Sequence, residues 1–112
     1  MTEVLLGIRK GQTRFIEING HAGFAEKGED IICAGISAVI QSLEIGLTEV
    51  LGRSDVKIKK DPEGGFMSVG LYGPEEKCAA VLMETAAQSL RAIAKSYPSY
   101  VRITEVDYNE VF

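Results

Sequence analysis

Residues 28–51 have the sequence GEDIICAGISAVIQSLEIGLTEVL, and this segment decides how the chain folds. Its large apolar residues recur at spacings of three and four, which is the period of one face of an α-helix. Gly52 follows where such a helix is expected to stop. The spacing predicts a helix over residues 31–51 whose buried stripe consists of Ile32, Ile36, Val39, Ile40, Leu43 and Leu47.

On both sides of this helix the chain alternates apolar and polar residues, which is the period of a β-strand. Residues 4–8 and 14–18 alternate around a turn at 10–12, and residues 56–59 and 67–71 alternate around a turn at 61–65. A second helical stripe covers residues 75–96, and residues 101–104 form a last strand. The order β-β-α-β-β-α-β predicts an α+β fold, with a mostly antiparallel sheet and two helices packed on one face.

The composition limits the size, compartment and partners of the protein. A chain of 112 residues, 46% hydrophobic and 25% charged, is long enough for one core and too short for two, so we expect a single domain over residues 1–112. We find no apolar run of membrane-spanning length and no secretory signal, which predicts a cytoplasmic protein without membrane contact. The net charge of −4 argues against a direct nucleic-acid partner and favours a basic polypeptide.

The chemistry is expected where the only histidine, His21, and one of the two cysteines, Cys33, share a glycine-rich stretch. A thiolate is a strong nucleophile near neutral pH, and a neighbouring imidazole is the commonest group that generates it. If Asp30 is the N-cap of the helix, Cys33 is the third helical residue, and the positive end of the helix dipole favours its thiolate. Free amides at the same helix end are placed to bind an oxyanion.

Further residues around this pair are candidates for supporting roles. Ser37 follows Cys33 by one helical turn, on the same face. Gly20 opens a loop with two more glycines, which favours a segment that closes over an extended substrate. An unassisted Cys-His pair is one arrangement, and the candidates for a third group that orients His21 are Asp30, Glu29, Asn19 and Ser37.

At these residues the chain resembles the ribosomal-processing cysteine proteases of bacteria. The family pattern is Gly-His-Ala at the end of a strand, then a variable loop, then Gly-x-Asp-Ile-Val-Cys-Ala-Ala-x-Ser at the start of a helix. Here Gly20-His21-Ala22 is followed by GEDIICAGIS at residues 28–37. Ile32 replaces the usual valine and Gly35 replaces an alanine, and neither change removes a reacting group. Length and element order are also similar, so the resemblance covers essentially the whole chain.

The resemblance implies an activity, a substrate and a set of site residues. Members of this family are cytoplasmic homodimers that need no cofactor. They remove the N-terminal extension of large-subunit ribosomal protein twenty-seven, cutting after two phenylalanines and before an alanine. Carried over to this chain, Cys33 is the nucleophile and His21 its base. Asp30 and Ser37 are supporting groups, and Gly20 is a hinge for the loop.

Two other classes of function stay open on the residues alone. A redox-sensitive thiol protein would oxidise Cys33 reversibly, and a noncatalytic ribosome-assembly or peptide-binding module would keep the fold without turnover. One histidine and two separated cysteines fall short of a zinc ligand set, so no metal is expected. Both cysteines are expected to be free thiols, with Cys78 a buried packing residue of the second helix.

Overall fold

The computed structural model describes residues 1–20 and 29–108, except for the side chains of Glu29 and Asp30. The elements in chain order are β1 Thr2–Arg9, β2 Gln12–Asn19, α1 Glu29–Ile45, β3 Val56–Asp61, β4 Phe66–Leu71, α2 Lys77–Ser96 and β5 Val101–Asp107. A π-helical turn, Gly46–Val50, extends α1. The predicted order of strands and helices is confirmed, and so is the α+β class.

The strands form one sheet in the order β3-β4-β2-β1-β5. Three neighbouring pairs are antiparallel, and β5 alone pairs parallel to its neighbour β1, as the prediction of a mostly antiparallel sheet requires. The turn from β1 to β2 consists of Lys10 and Gly11, with φ values of 51° and 77°. Two successive positive φ values define a type I′ turn, whose twist matches that of the flanking strands.

The core lies between the sheet and the two helices. Alternate residues of β1 and β2 enter it, because successive side chains of a strand point to opposite faces. Of the predicted stripe of α1, Val39 is half-buried against the core and the other five residues are fully buried in it. The largest side chains with under 2% of their surface exposed are Leu6, Ile16, Ile18, Ile36, Ile40, Leu47, Leu71, Met83, Leu90, Val4 and Val69.

Polar contacts tie the helical segments to the strands. The carboxylate of Glu84 in α2 accepts a hydrogen bond from the backbone N–H of Thr13 in β2, at 2.6 Å. In the connection from α1 to β3, Arg53 donates to the carboxylate of Asp55 through two guanidinium nitrogens, with Nε 2.8 Å from Oδ1. Arg53 also donates to the carbonyl of Pro74 at 3.0 Å. The hydrogen bond from Arg53 holds the pKa of Asp55 below its ordinary value.

The helix bounds correct three details of the prediction. Because α1 begins at Glu29, Asp30 is its second residue and not its N-cap. Regular α-helix ends at Ile45, residues 46–50 of the predicted helix form the wider π-helical turn, and Leu51 is the C-cap of that turn. The second helix begins at Lys77 after Glu76, whose carboxylate accepts hydrogen bonds from the amides of the first turn and so acts as the N-cap.

The segment Ile31–Val50 is long and apolar enough to cross a membrane by length and composition alone. The expectation that no apolar run reaches that length is therefore wrong. One side of the segment, including Ile36 and Leu47, is buried in the core against the sheet and α2. A core helix of a globular domain passes the same test of length and composition, so the segment is weak evidence for a membrane span.

Candidate active site

The beginning of α1 lies at the end of the sheet where β1, β4 and β5 begin and β2 ends. Backbone hydrogen bonds join these strand ends: Thr2 N–H donates to the carbonyl of Tyr100 at 2.8 Å, and Gly20 N–H donates to the carbonyl of Gly65 at 3.1 Å. The hydroxyl oxygen of Thr2 lies 3.9 Å from the Sγ of Cys33. The predicted nucleophile therefore lies beside a tightly connected corner of the sheet.

Cys33 is half-buried on α1, and its neighbours Ile32 and Ile36 anchor this part of the helix in the core. It is the fifth residue of α1, whereas the sequence predicted the third, because the helix begins at Glu29. The field of a helix dipole falls off within the first turn. Cys33 therefore lies farther from the helix end than predicted.

Ser37 follows Cys33 by four residues within the continuous helix α1. Residues at this spacing lie on the same side of a helix, with Cβ atoms roughly 5–6 Å apart. Ser37 is half-buried, as Cys33 is. The two side chains therefore lie on neighbouring turns of one helix, as the sequence predicted.

Gly20 follows the last residue of β2 and has a conformation that favours glycine. Its φ is +99°, in the left-handed region that L side chains rarely adopt. A Cβ at this position would lie 2.6 Å from the backbone oxygen of Met1 and 3.8 Å from the Cα of Thr2. The chain therefore leaves β2 in close backbone contact with the start of β1, and only glycine fits there without displacement.

Two of the predicted site residues are described partly or not at all. His21 lies outside the described residues, and of Asp30 the structure describes the backbone in α1 but not the side chain. His21 is bonded to Gly20, whose position beside Met1 and Thr2 is described. The described part of the site thus consists of Cys33, Ser37, Gly20 and the neighbouring Thr2.

Thr2 is the site residue that the sequence analysis missed. It is 4% exposed, and its side chain lies on the face of β1 that also carries the buried Val4 and Leu6. The alternation that identified Val4 and Leu6 extends back to Thr2, so the sequence does indicate that the Thr2 side chain lies on the buried face of β1. Its proximity to Cys33, which is 31 residues away in the sequence, depends on how α1 packs on the sheet.

Cys78 does not pack in the core. Both cysteines are free thiols, as predicted, but Cys78 is exposed, so its predicted packing role is wrong. It lies in the first turn of α2, where the Glu76 carboxylate accepts a hydrogen bond from its amide. The hydrogen bond with that carboxylate also raises the pKa of the Cys78 thiol, which disfavours the thiolate, the nucleophilic form.

Metal binding finds no support within residues 1–20 and 31–108, whose side chains the structure describes. No group of three or more histidine, cysteine, aspartate or glutamate side chains in these residues is arranged to hold a metal ion. The chemistry that the described residues can supply is that of a thiol with two nearby hydroxyl groups, on Thr2 and Ser37.

Comparison with known proteins identifies relatives over most of the chain. The sequence profile described as cysteine protease Prp matches residues 1–102. The ribosomal processing cysteine protease Prp of Mycoplasma genitalium is 33% identical over 94 residues, which cover 84% of this chain and 90% of that protein. The Bacillus subtilis protein of the same name is 32% identical over 92 residues, covering 79% of this chain and 81% of that protein.

Solved structures show the same fold. SMU.848 from Streptococcus mutans superposes with a TM-score of 0.84 at 28% identity, and the match covers 96% of both chains. The ribosomal processing protease Prp from S. aureus, solved in complex with a substrate peptide, superposes with a TM-score of 0.81 at 26% identity. That match covers 95% of this chain and 100% of the other.

Proposed function

This chain belongs to the Prp family of ribosomal-processing cysteine proteases, and on that premise we propose that it removes the N-terminal extension of large-subunit ribosomal protein twenty-seven. The activity resides in a single domain spanning residues 1–112 and acts in the cytoplasm, where ribosomal proteins are made. It needs no cofactor, contacts no nucleic acid directly and has a basic protein tail as its substrate.

The observation that carries the proposal is the position of Cys33. The family motif places a cysteine at the beginning of a helix, after a Gly-His-Ala strand end, and in the described structure Cys33 and Gly20 both lie next to Thr2. Cys33 is half-buried, so its sulfur is held by the fold. The exposed Cys78, beside a carboxylate that raises its pKa, lacks such a setting.

The reaction is acyl transfer through the Sγ of Cys33. His21 takes the thiol proton, and the thiolate forms a bond to the carbonyl carbon of the scissile Phe-Ala bond. The carbon–nitrogen bond then breaks, and the alanine nitrogen receives the proton from His21. The fragment that ends in phenylalanine stays on Cys33 as a thioester. Water attacks the thioester while His21 accepts its proton, which releases a carboxylate and restores the thiol.

Asp30, Ser37 and Gly20 assist this pair. Ser37 lies one turn from Cys33, within reach of groups bound beside the sulfur. Asp30 lies three residues before Cys33 in the first turn of α1, where a negative charge also stabilises the helix. Gly20 is the hinge from which the chain continues to His21, and its left-handed backbone is what a residue at such a turn requires.

A direct cleavage assay tests the proposal. A synthetic peptide with a Phe-Phe-Ala junction and a basic tail is incubated with the protein and analysed by mass spectrometry. We expect one cut, before alanine, and we expect its complete loss in Cys33→Ala and in His21→Ala. Cys78→Ala is the matched control, because it removes the other thiol and leaves the proposed site unchanged, so it should cut at the rate of the unmodified protein.

The same assay separates the two other classes of function. Peptide binding without cleavage, unaffected by Cys33→Ser, would identify a noncatalytic peptide-binding module. An uncut peptide together with oxidation of Cys33 by mild peroxide well before Cys78 would identify a redox-sensitive thiol protein. Cleavage that survives in Cys33→Ala would refute the nucleophile assigned here.

The protein acts as a homodimer that associates through the outer sides of α1 and α2. Residues 31–43 contain no charged side chain, and between Cys78 and Leu90 the only one is Glu84, which bonds to β2. Exposed apolar side chains lie on the same segments, with Ile31 77% and Val81 63% exposed. Because the chain carries a net charge of −4, an uncharged surface is where two copies can approach with the least repulsion.

Introducing a charge on this surface tests the dimer. Ala38 is exposed on α1 and lines the groove between the two helices. We expect Ala38→Glu to give a monomer in light scattering after size exclusion, because a symmetric interface receives the charge twice. Ser99→Glu, in the exposed turn before β5, adds the same charge elsewhere and should leave the dimer intact. A dimer that persists in Ala38→Glu would place the interface on another surface.

A further inference from the structure

We infer that Thr2 is a positioning residue for the nucleophile, and that its hydroxyl donates a hydrogen bond to the thiolate of Cys33. This inference rests on the proposed role of Cys33. The two side chains come from different elements, β1 and α1, and their Oγ1 and Sγ atoms are 3.9 Å apart. Hydrogen bonds to sulfur are longer than those to oxygen because the sulfur atom is larger.

The backbone of Thr2 is fixed from several directions. Its N–H donates to the carbonyl of Tyr100 at 2.8 Å, and it is paired in register with Val101 of β5. The next residue, Glu3, is paired with Asn19 of β2. A side chain on a strand held by both neighbours points in a set direction, so the Thr2 hydroxyl is presented to α1 without a further loss of backbone freedom.

Burial gives this contact its chemical effect. Thr2 is 4% exposed and Cys33 is half-buried, so the contact between them is partly shielded from bulk water. A buried hydroxyl needs a hydrogen-bond partner, and the sulfur supplies one. When Cys33 ionises, the hydroxyl becomes the donor to a charged acceptor, and such bonds are about twice as strong as neutral ones. We therefore expect the contact to be stronger with a charged sulfur than with a neutral one.

The position of Cys33 in α1 explains why a side-chain donor matters. The helix dipole acts most strongly in the first turn, and Cys33, the fifth residue of the helix, lies beyond that turn. Thr2 lies in the sheet, on β1, and its O–H group is beside the sulfur of Cys33 on α1. A donor on a rigid strand also holds the sulfur in one orientation, which keeps it aligned for attack.

The test measures how fast iodoacetamide alkylates Cys33 as the pH is raised from acidic to mildly alkaline, in a Cys78→Ala background so that one thiol reacts. Four residues at position 2 are compared in two pairs, threonine with valine and serine with alanine, and only the first member of each pair has a hydroxyl group. Threonine and valine have nearly the same shape, and serine and alanine are smaller. We expect Thr2→Val to slow alkylation at neutral pH by about three- to tenfold, with Thr2→Ser close to the original protein and Thr2→Ala close to Thr2→Val.

The pattern across the pairs decides the outcome. A pH profile that follows the presence of the hydroxyl supports the inference, and profiles that are equal for threonine and valine, or that follow side-chain size, overturn it. If Thr2→Val does not fold, the serine and alanine variants still provide the comparison. The alkylation rates do not depend on whether the protein cleaves the peptide. Failure of the unmodified protein to cleave the peptide would therefore refute the proposed function, and the alkylation profiles would still decide the role of Thr2.

Discussion

At the scale of single residues, a close backbone contact fixes how the chain continues from β2 past the start of β1. Gly20 combines a left-handed backbone with an approach to the Met1 carbonyl that leaves no room for a Cβ. Gly52 has a similar positive φ, +65°, but a Cβ there would meet nothing within 4 Å. Substitution of Gly52 therefore measures the cost of the left-handed backbone alone, and substitution of Gly20 adds the cost of the contact with Met1.

We expect Gly20→Ala to lower the free energy of unfolding by more than about 2 kcal/mol. The left-handed backbone accounts for about 1–2 kcal/mol of this loss, and the displacement of Met1 by the new Cβ adds the rest. Gly52→Ala should cost only the conformational part, about 1–2 kcal/mol. Urea unfolding of both variants measures the difference, and peptide cleavage by Gly20→Ala should fall because Thr2 and the attachment point of His21 move. Equal losses of stability in the two variants would show that the contact with Met1 is unimportant.

At the scale of the elements, α1 has two apolar sides with different roles. Ile36 is 1% exposed and lies in the core, whereas Ile31 is 77% exposed, two residues before Cys33. Periodicity identified the core side, because isoleucine, leucine and valine recur there at helical spacing. The outer side is apolar as well, which periodicity alone does not explain and which agrees with the proposed association of two copies.

The two isoleucines provide a matched pair of substitutions. Ile36→Ala should lower the free energy of unfolding by about 2–4 kcal/mol, because it removes buried methyl groups and leaves a cavity. Ile31→Ala should change it by less than about 0.5 kcal/mol in the monomer, since the side chain is exposed there. Urea unfolding at low protein concentration compares them. A large loss for Ile31→Ala under these conditions would mean that Ile31 packs within its own chain.

The connection from α1 to β3 contains an ion pair between Arg53 and Asp55. The Arg53 side chain is 14% exposed and that of Asp55 is 18% exposed, so water screens the pair only partly. The hydrogen bond from Arg53 holds the pKa of Asp55 below its ordinary value. A carboxyl whose pKa is lower in the folded state stabilises the fold above its unfolded pKa, and this stabilisation is lost as the pH falls through the folded value.

Asp55→Asn should therefore destabilise the protein at neutral pH by about 1–2 kcal/mol and should reduce its loss of stability below about pH 4. Thermal unfolding across acidic and neutral pH measures both effects. Glu3→Gln is the control, because Glu3 pairs with Arg102 on the surface, where both side chains are at least 60% exposed. It should cost under about 0.5 kcal/mol. An Asp55→Asn variant with the original acid sensitivity would contradict the role of this pair.

At the scale of the whole molecule, charge affects how a substrate arrives. The chain carries 16 acidic and 12 basic residues, a net charge of −4, so a basic peptide tail is attracted over distances comparable to the Debye length. Under the proposed function, this attraction acts on the association of the substrate and leaves the chemical step unchanged. It should therefore appear in kcat/KM and not in kcat.

Raising the ionic strength should lower kcat/KM for a Phe-Phe-Ala peptide with a basic tail by about two- to fivefold, because salt screens the attraction. The same junction on an uncharged tail is the control and should change little. Steady-state kinetics at low and high salt make the comparison. An equal salt dependence for both peptides would show that net charge plays no part in recruiting the substrate.

The sequence alone was sufficient for the features that depend on local periodicity and on the motif. Alternation located the strands, and spacings of three and four located the core side of α1, because both patterns follow from backbone geometry. The motif singled out Cys33, His21, Asp30, Ser37 and Gly20 as candidates. The exact start of α1 was not predictable from Asp30, since a good capping residue is also tolerated inside the first turn.

What only the tertiary structure decided are the relations between residues far apart in the chain. The parallel pairing of β5 with β1 brings Tyr100 to Thr2, and the packing of α1 on the sheet brings Thr2 to Cys33. Neither contact leaves a periodic trace in the sequence, because each depends on the register and orientation of whole elements. Local patterns therefore determined which elements form and which face of each is buried, and the packing of those elements determined which side chains meet at the site.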